Sequence, residues 1–199
     1  MNKQLKAVID RLEQMPKQGV SYDEKGRHGW RNPIRQDTGP ILQALVLAAR
    51  PGRILEIGTA HGLSMCYLAS FAPAADLHTI EWDQQTALEA QANLNAAGLE
   101  AVVHCGDAMQ VIADLSTVLK FDMVFLDGNK DGYLEQIKLL LKRRLLKTGC
   151  LIVADNVIDR QKECQDFLDY MEKQHAVILQ VGIDPTQPEK VAGLLVARI

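Results

Sequence analysis

The sequence predicts an α/β fold built on a mostly parallel, seven-stranded sheet, and three observations lead there. From residue 53 onward, short β-prone runs alternate with helix-length runs, the pattern of repeated β-α-β units. The chain has 199 residues, 47% of them hydrophobic, enough for one well-formed core and suited to a single domain over 1–199. The last two β-prone runs are joined by "GIDPTQPEKVA", too short for the helical crossover that parallel strands need, so the seventh strand is expected to run antiparallel.

The elements follow in chain order. Leu5, Val8, Ile9 and Leu12 recur at helical spacing between Asn2 and Met15, and Pro16 stops that helix. The stretch "PKQGVSYDEKGRHGWRNPIRQD" is too long for a mere connector. Residues 1–36 therefore read as an N-terminal helix and loop serving as a substrate lid or a dimer contact. Thr38 is expected to cap a helix through Ala49, with a Pro-Gly turn at Pro51 and Gly52. Strands are expected at "RILEI", "LHTIE", "AVVHC", "MVFLD", "LIVAD", "AVILQV" and "GLLVARI", with helices between the first six. Parallel strands with right-handed crossovers bury both sheet faces under helices.

Composition narrows the function. A net charge of -3 and a pI near 5.9 give no global attraction to nucleic acid, so such a partner would have to be held locally. No apolar run reaches the roughly 18 residues of a membrane span, and "MNKQLKAVIDRLEQM" lacks the apolar middle of a signal peptide; a cytoplasmic location without membrane contact is expected. Cys66, Cys105, Cys150 and Cys164 form no C-x-x-C pair, and three of them stand in or beside apolar runs. They read as small buried thiols in a reducing compartment, not as a zinc site or disulfide frame.

Five motifs carry chemistry. In "LEIGTAHGLS" a strand bearing Glu56 turns at Gly58 and Gly62 into a helix near Ser64. Glycines let backbone approach a ligand closely, which makes a nucleotide-sized cradle, although the same turn alone is an ordinary strand-to-helix connection. The spacing is not G-x-G-x-x-G, which disfavours a dinucleotide. Glu81 ends the next strand, in "IEWD", where a carboxylate can accept both hydroxyls of an adenosine ribose. In "GDA", Asp107 either caps a helix or edges an adenine together with the Ala108 backbone. Two further strands end in acid and amide: "FLDGNK" with Asp127, Asn129 and Lys130, and "ADNV" with Asp155 and Asn156.

In this order and near this spacing, the five motifs resemble the class I S-adenosylmethionine-dependent methyltransferases. The last two narrow the resemblance to the divalent-metal-dependent O-methyltransferases that include catechol and caffeoyl-CoA O-methyltransferases and their small bacterial relatives. The resemblance runs from about Pro33 to the final "GLLVARI". It implies a Rossmann-like sheet of strand order 3-2-1-4-5-7-6 with strand 7 antiparallel. It implies S-adenosyl-L-methionine as cofactor, with Glu56, Gly58, Ala60, Ser64, Glu81, Asp107, Ala108 and Asp127 as its contacts. Asp127, Asp155 and Asn156 become the metal ligands and Lys130 the catalytic base.

Two carboxylates and an amide oxygen are hard ligands suited to Mg²⁺, with Mn²⁺ or Ca²⁺ as alternatives, and no sulfur ligand is offered. A neighbouring dication and burial would both depress Lys130, freeing it to take a hydroxyl proton. The implied acceptor is a small dihydroxylated aromatic molecule such as a catechol, and relatives of this size imply a homodimer.

A hydroxyuridine of tRNA is the alternative acceptor, since Lys25, Arg27, His28, Arg31 and Arg35 alternate with Tyr22 and Trp30 as phosphate- and base-binding surfaces do; a solvated loop is the plainer reading. A nicotinamide-dependent oxidoreductase fits less well, lacking the third glycine. Lys142, Arg143, Arg144 and Lys147 read as positive charge at a helix C-terminus. Relatives carry a longer N-terminal segment and a longer insertion after D-N-V, so a more open pocket is expected here.

Overall fold

The computed structural model describes residues 2–15, 18–21, 28–31, 34–181 and 191–199, with backbone alone over 18–21 and 28–31. Asn2 caps the first helix, α1 (Lys3–Leu12), by accepting the Leu5 N–H at 2.7 Å, and the predicted Leu5, Val8, Ile9 and Leu12 form its buried stripe. Next, β1 (Gln18–Ser21) and β2 (His28–Arg31) form an antiparallel hairpin in the stretch expected to be loop. Its glycines and charges conceal any two-residue alternation.

The helix α2 (Thr38–Ala49) begins one residue earlier than expected. Asp37 occupies the cap position, and Thr38 is the first helical residue, fully buried, with its N–H donated to the Arg35 carbonyl at 3.0 Å. Burial of its side chain against the core thus prevails over its capping propensity.

The predicted alternation then appears: β3 (Arg53–Ile57), α3 (Leu63–Ala69), β4 (Asp76–Glu81), α4 (Gln84–Ala96), β5 (Ala101–Cys105), α5 (Ala108–Asp114), β6 (Phe121–Leu126), α6 (Tyr133–Lys142), β7 (Leu146–Ala154), α7 (Gln165–Glu172), β8 (Val177–Val181) and β9 (Ala192–Arg198). The strands lie in the order β5-β4-β3-β6-β7-β9-β8; counted within this sheet alone, that is 3-2-1-4-5-7-6. Only β9 is antiparallel to its neighbours, as its short connection required. The connection itself, 182–190, lies outside the described residues.

One core cluster joins α1 to α4 to one face of the sheet, and a second packs α5, α6 and α7 on the other. Sheet order reverses between β3 and β6, where the chain crosses from one side to the other. At such a switch point the carboxyl ends of adjacent strands diverge and open a crevice. Among the described residues no helix is long and apolar enough to cross a membrane. Cys66, Cys150 and Cys164 are buried, whereas Cys105 is exposed at the end of an edge strand.

Candidate active site

A cavity of about 680 Å³ occupies the crevice at the switch point. Two strand ends meet tightly beneath it. Gly58 donates to the Ile80 carbonyl at 2.9 Å, and Asp127 to the Ile57 carbonyl at 2.8 Å. Gly58 has φ 101°, and a Cβ there would lie 2.6 Å from the Asp127 carbonyl carbon, so this crossing admits glycine alone without displacement.

On one side stands the glycine turn. Ala60, in the left-handed region at φ 45°, donates its N–H to Glu81 Oε2 at 2.9 Å, and Glu81 Oε1 accepts from the Asp83 N–H at 3.1 Å. Glu81 is buried, and burial raises its pKa against these backbone bonds. With the Thr59 backbone bonding it as well, the carboxylate still has acceptor capacity for the diol role expected from sequence. Asp107 caps α5 through the Gln110 N–H at 3.1 Å, and Ala108 begins that helix at the cavity wall. Ser64 also lines the cavity.

Glu56 does not. It sits wholly buried behind the wall, accepting the Thr79 hydroxyl at 2.6 Å, while Thr79 and Thr59 hydroxyls meet at 2.5 Å. Burial pushes Glu56 up to about 8; the Ser64 and Thr79 hydroxyls oppose the rise, and Asp127 and Glu81 add to it. The carboxyl is therefore largely protonated near neutral pH, a structural donor and acceptor beneath the turn.

On the other side the acids and amide converge. Register pairs Leu126 with Ala154 on adjacent parallel strands, so Asp127 and Asp155 follow side by side, the Asp155 N–H bonding the Leu126 carbonyl at 2.9 Å. Asn156 adopts φ 61°, which turns the chain, and its N–H donates to Asp155 Oδ1 at 2.9 Å. Lys130 lies 3.1 Å from Asp127 Oδ1, the two side chains only 12% and 15% exposed, and its ammonium stands 5.4 Å over the Tyr133 ring. Tyr133 fixes this corner by donating to the Leu126 carbonyl at 2.9 Å.

Burial pulls Lys130 down, but Tyr133, Asp127 and Asp155 outweigh it and hold the ammonium above its ordinary value. Burial and the neighbouring Asp127 push Asp155 up to about 7, against the pull of Lys130. Two buried carboxylates thus share one cation.

This donor set fits a hard divalent cation. Among the described residues no three His, Cys, Asp or Glu groups gather as a metal site, so any such ion would depend on the Asn156 amide and water besides the two acids. The cofactor fit rests on lining: Glu81, Trp82, Asp107 and Met109 bound the same cavity as the acidic residues Asp127 and Asp155.

The sequence matches the family model described as O-methyltransferase over residues 22–196. The chain belongs to the O-methyltransferase family. Its relatives include the catechol O-methyltransferase of Niastella koreensis, 36% identical over 63% of this chain and 58% of that protein. Catechol O-methyltransferase B of Danio rerio is 32% identical over 84% of this chain and 65% of that protein. The chain thus spans less than two thirds of the length of these curated relatives. The fold is shared with the O-methyltransferase from Bacillus cereus in complex with SAH, at a TM-score of 0.75 and 23% identity, covering 100% of this chain and 91% of that one.

In this chain the cavity wall also holds residues that the motifs did not announce. Ile34 and Arg35 close it from the segment before α2, so Arg35 is the member of the basic loop seen at the site. Tyr22, Lys25 and Arg27 lie outside the described residues, and His28, Trp30 and Arg31 are described in backbone only. Asp159, Arg160 and Glu163 form a rim after the D-N-V motif, with Arg160 bonded to Glu163 at 2.7 Å. His61 is buried in the turn itself and Trp82 directly follows Glu81; both were readable from their place inside motifs. The other basic cluster stays structural: Lys147 pairs with Asp122 at 2.8 Å and Arg143 donates to the Leu115 carbonyl at 2.8 Å.

Proposed function

We propose that the chain transfers a methyl group from S-adenosyl-L-methionine to a hydroxyl of a small dihydroxylated, catechol-like acceptor, with a divalent cation held by Asp127, Asp155 and Asn156. The observation that carries this reading is the continuity of one cavity from Glu81 and Asp107 to Asp127, Lys130, Asp155 and Asn156. Relatives named as catechol O-methyltransferases support the acceptor class.

When bound, the cation supplies charge to stabilise an acceptor oxyanion and the cofactor supplies an electrophilic methyl group. The rest is work for the chain's own side chains. Glu81 would orient the ribose end through its remaining acceptor capacity, and Gly58, having no side chain, lets the β3 end close against the Asp127 backbone and so sets the floor of the cavity. Lys130 holds or takes the proton. While Asp127 and Asp155 face it, the ammonium is favoured; with both carboxylates engaged by a cation, burial would weigh more heavily against the ammonium, and a neutral amine could accept the acceptor's hydroxyl proton. Alignment of two bound groups, not covalent catalysis, then supplies most of the acceleration.

The test is transfer of labelled methyl from S-adenosylmethionine to catechols, hydroxycinnamoyl esters and undermodified bulk tRNA, with Mg²⁺, with chelator, and with Asp155→Asn. Metal-dependent labelling of a small diol, lost in the variant, is expected. Labelling of tRNA alone would transfer the acceptor role to RNA and give the 22–35 segment a clamping role. Chelator-insensitive labelling of any acceptor would remove Asp127, Asp155 and Asn156 from the metal reading.

A further inference from the structure

The peptide between Ala60 and Gly62 is held from two directions. The Ala60 N–H is tied to Glu81, while the His61 carbonyl accepts from the Asn93 side-chain amide on α4 at 3.0 Å. Asn93 is in turn held from the N-terminal helix, where Arg11 donates to its Oδ1 at 2.8 Å. Arginine only donates and a backbone carbonyl only accepts, so a side chain joining them must carry an acceptor and a donor on one short stem. Asparagine is that side chain, and its two partners fix the orientation of its amide.

Tight packing accompanies the bond: a Cβ on Gly62 would come within 3.3 Å of Leu94, the next residue of α4. The N-terminal helix also reaches the helix after the turn, because the Tyr67 hydroxyl of α3 donates to Glu13. It therefore touches both helices that flank the glycine turn.

We infer that Asn93 is a positioning residue for the cofactor, holding the 58–62 turn through His61 while Arg11 of α1 holds Asn93, so that α1 acts as a brace on cofactor binding. This rests on the proposed reading of that turn as the S-adenosylmethionine cradle. A non-glycine residue in the left-handed region costs about 1–2 kcal/mol, and Ala60 at φ 45° depends on neighbouring bonds to stay there. Loss of the His61 bond lets the turn relax away from its binding shape.

The experiment compares wild type, Asn93→Asp and Asn93→Leu by calorimetric titration with S-adenosylhomocysteine, together with cofactor and acceptor KM values. Asn93→Asp keeps an ion-pair partner for Arg11 and so keeps α1 anchored, but presents an acceptor to the His61 carbonyl. Both variants are expected to bind cofactor about two- to ten-fold more weakly, the range for one net hydrogen bond, with acceptor KM unchanged. Retained melting temperature in Asn93→Asp, alongside the weaker binding, separates positioning from a merely structural role. If wild type binds and both variants bind equally well, the brace is wrong while the cofactor reading stands. If wild type binds no S-adenosylhomocysteine, the cofactor reading fails and this inference falls with it.

Discussion

Gly58→Ala is the sharpest perturbation the fold offers, because it strikes the crossing on which both halves of the cavity depend. The new Cβ would lie 2.6 Å from the Asp127 carbonyl carbon and 2.7 Å from both the Asp127 oxygen and the Gly128 nitrogen. None of these atoms ends a flexible side chain, so relief requires backbone movement. That movement is opposed by the Gly58 N–H bond to Ile80 at 2.9 Å and the Asp127 N–H bond to Ile57 at 2.8 Å. Two costs add: about 1–2 kcal/mol for an L residue at positive φ, and about 1–3 kcal/mol for overpacking. Together they give about 2–5 kcal/mol, or a fall in Tm of roughly 5–15 °C for a chain of this size. Gly128→Ala is the control, since a Cβ there meets the Ile57 carbonyl oxygen no closer than 3.5 Å. Thermal and urea unfolding of the two variants measure the difference. A Gly58→Ala protein melting within about 2 °C of wild type, with Gly128→Ala equal to it, would refute the claim that β3 and β6 are locked at this point.

Three further outcomes are expected. Mg²⁺ should raise the Tm of wild type, by about 2.7 kcal/mol of stabilisation at one hundred times Kd, and leave that of Asp155→Asn unmoved; equal shifts in a thermal-shift titration would place the ion elsewhere. Glu56 is raised to about 8 in the fold from 4.5, so its contribution to stability is full below pH 4.5 and is lost as pH rises through about 8. Glu56→Gln should therefore gain on wild type between pH 6 and 9 in urea titrations, and a constant difference across that window would contradict the assignment. His104 is depressed below 6.5 by burial and by His78, whose ring nitrogen lies 3.0 Å away and whose other nitrogen faces Asp76 at 3.2 Å. Its neutral form is the folded one, so stability is full above pH 6.5 and declines as pH falls towards the lower folded value, by at most about 1.4 kcal/mol per pH unit; His104→Gln should flatten that acid limb.

What the sequence discloses about this fold depends on how local the cause is. The strands from Arg53 onward are legible because their apolar runs are bounded by turns, and the reversal of β9 follows from the length of one connection. The site acids are legible because the carboxyl ends of neighbouring parallel strands must lie together; any acid there lands at one edge. Thr38 is misplaced by one residue because burial, not capping, fixes the start of α2. Glu56 shares its strand with the cradle, yet whether it faces the cavity or the layer behind depends on packing against Thr79. Asn93 carries no motif at all. Its meaning arises only when α1, α4 and the glycine turn come together.

The acidic end of the cavity ties stability to function in opposite directions. Topology forces Asp127 and Asp155 onto adjacent strand ends, where water is scarce and Lys130 is the cation that both acids share. One ammonium cannot satisfy two buried carboxylates: burial first, and the Asp127 charge after it, raise Asp155 to about 7 against the pull of Lys130. A proton can relieve the crowding, and so can a dication. A proton on Asp155 would leave Asp127 as the one charged acid, still paired with Lys130, whereas a dication, if bound, would be held by both acids and would weaken the hold of Asp127 on Lys130. On the proposed function, the same unfavourable crowding that burdens the empty fold supplies part of the affinity for the ion, and replacing Asp155 by a neutral isostere should steady the fold and silence the enzyme together.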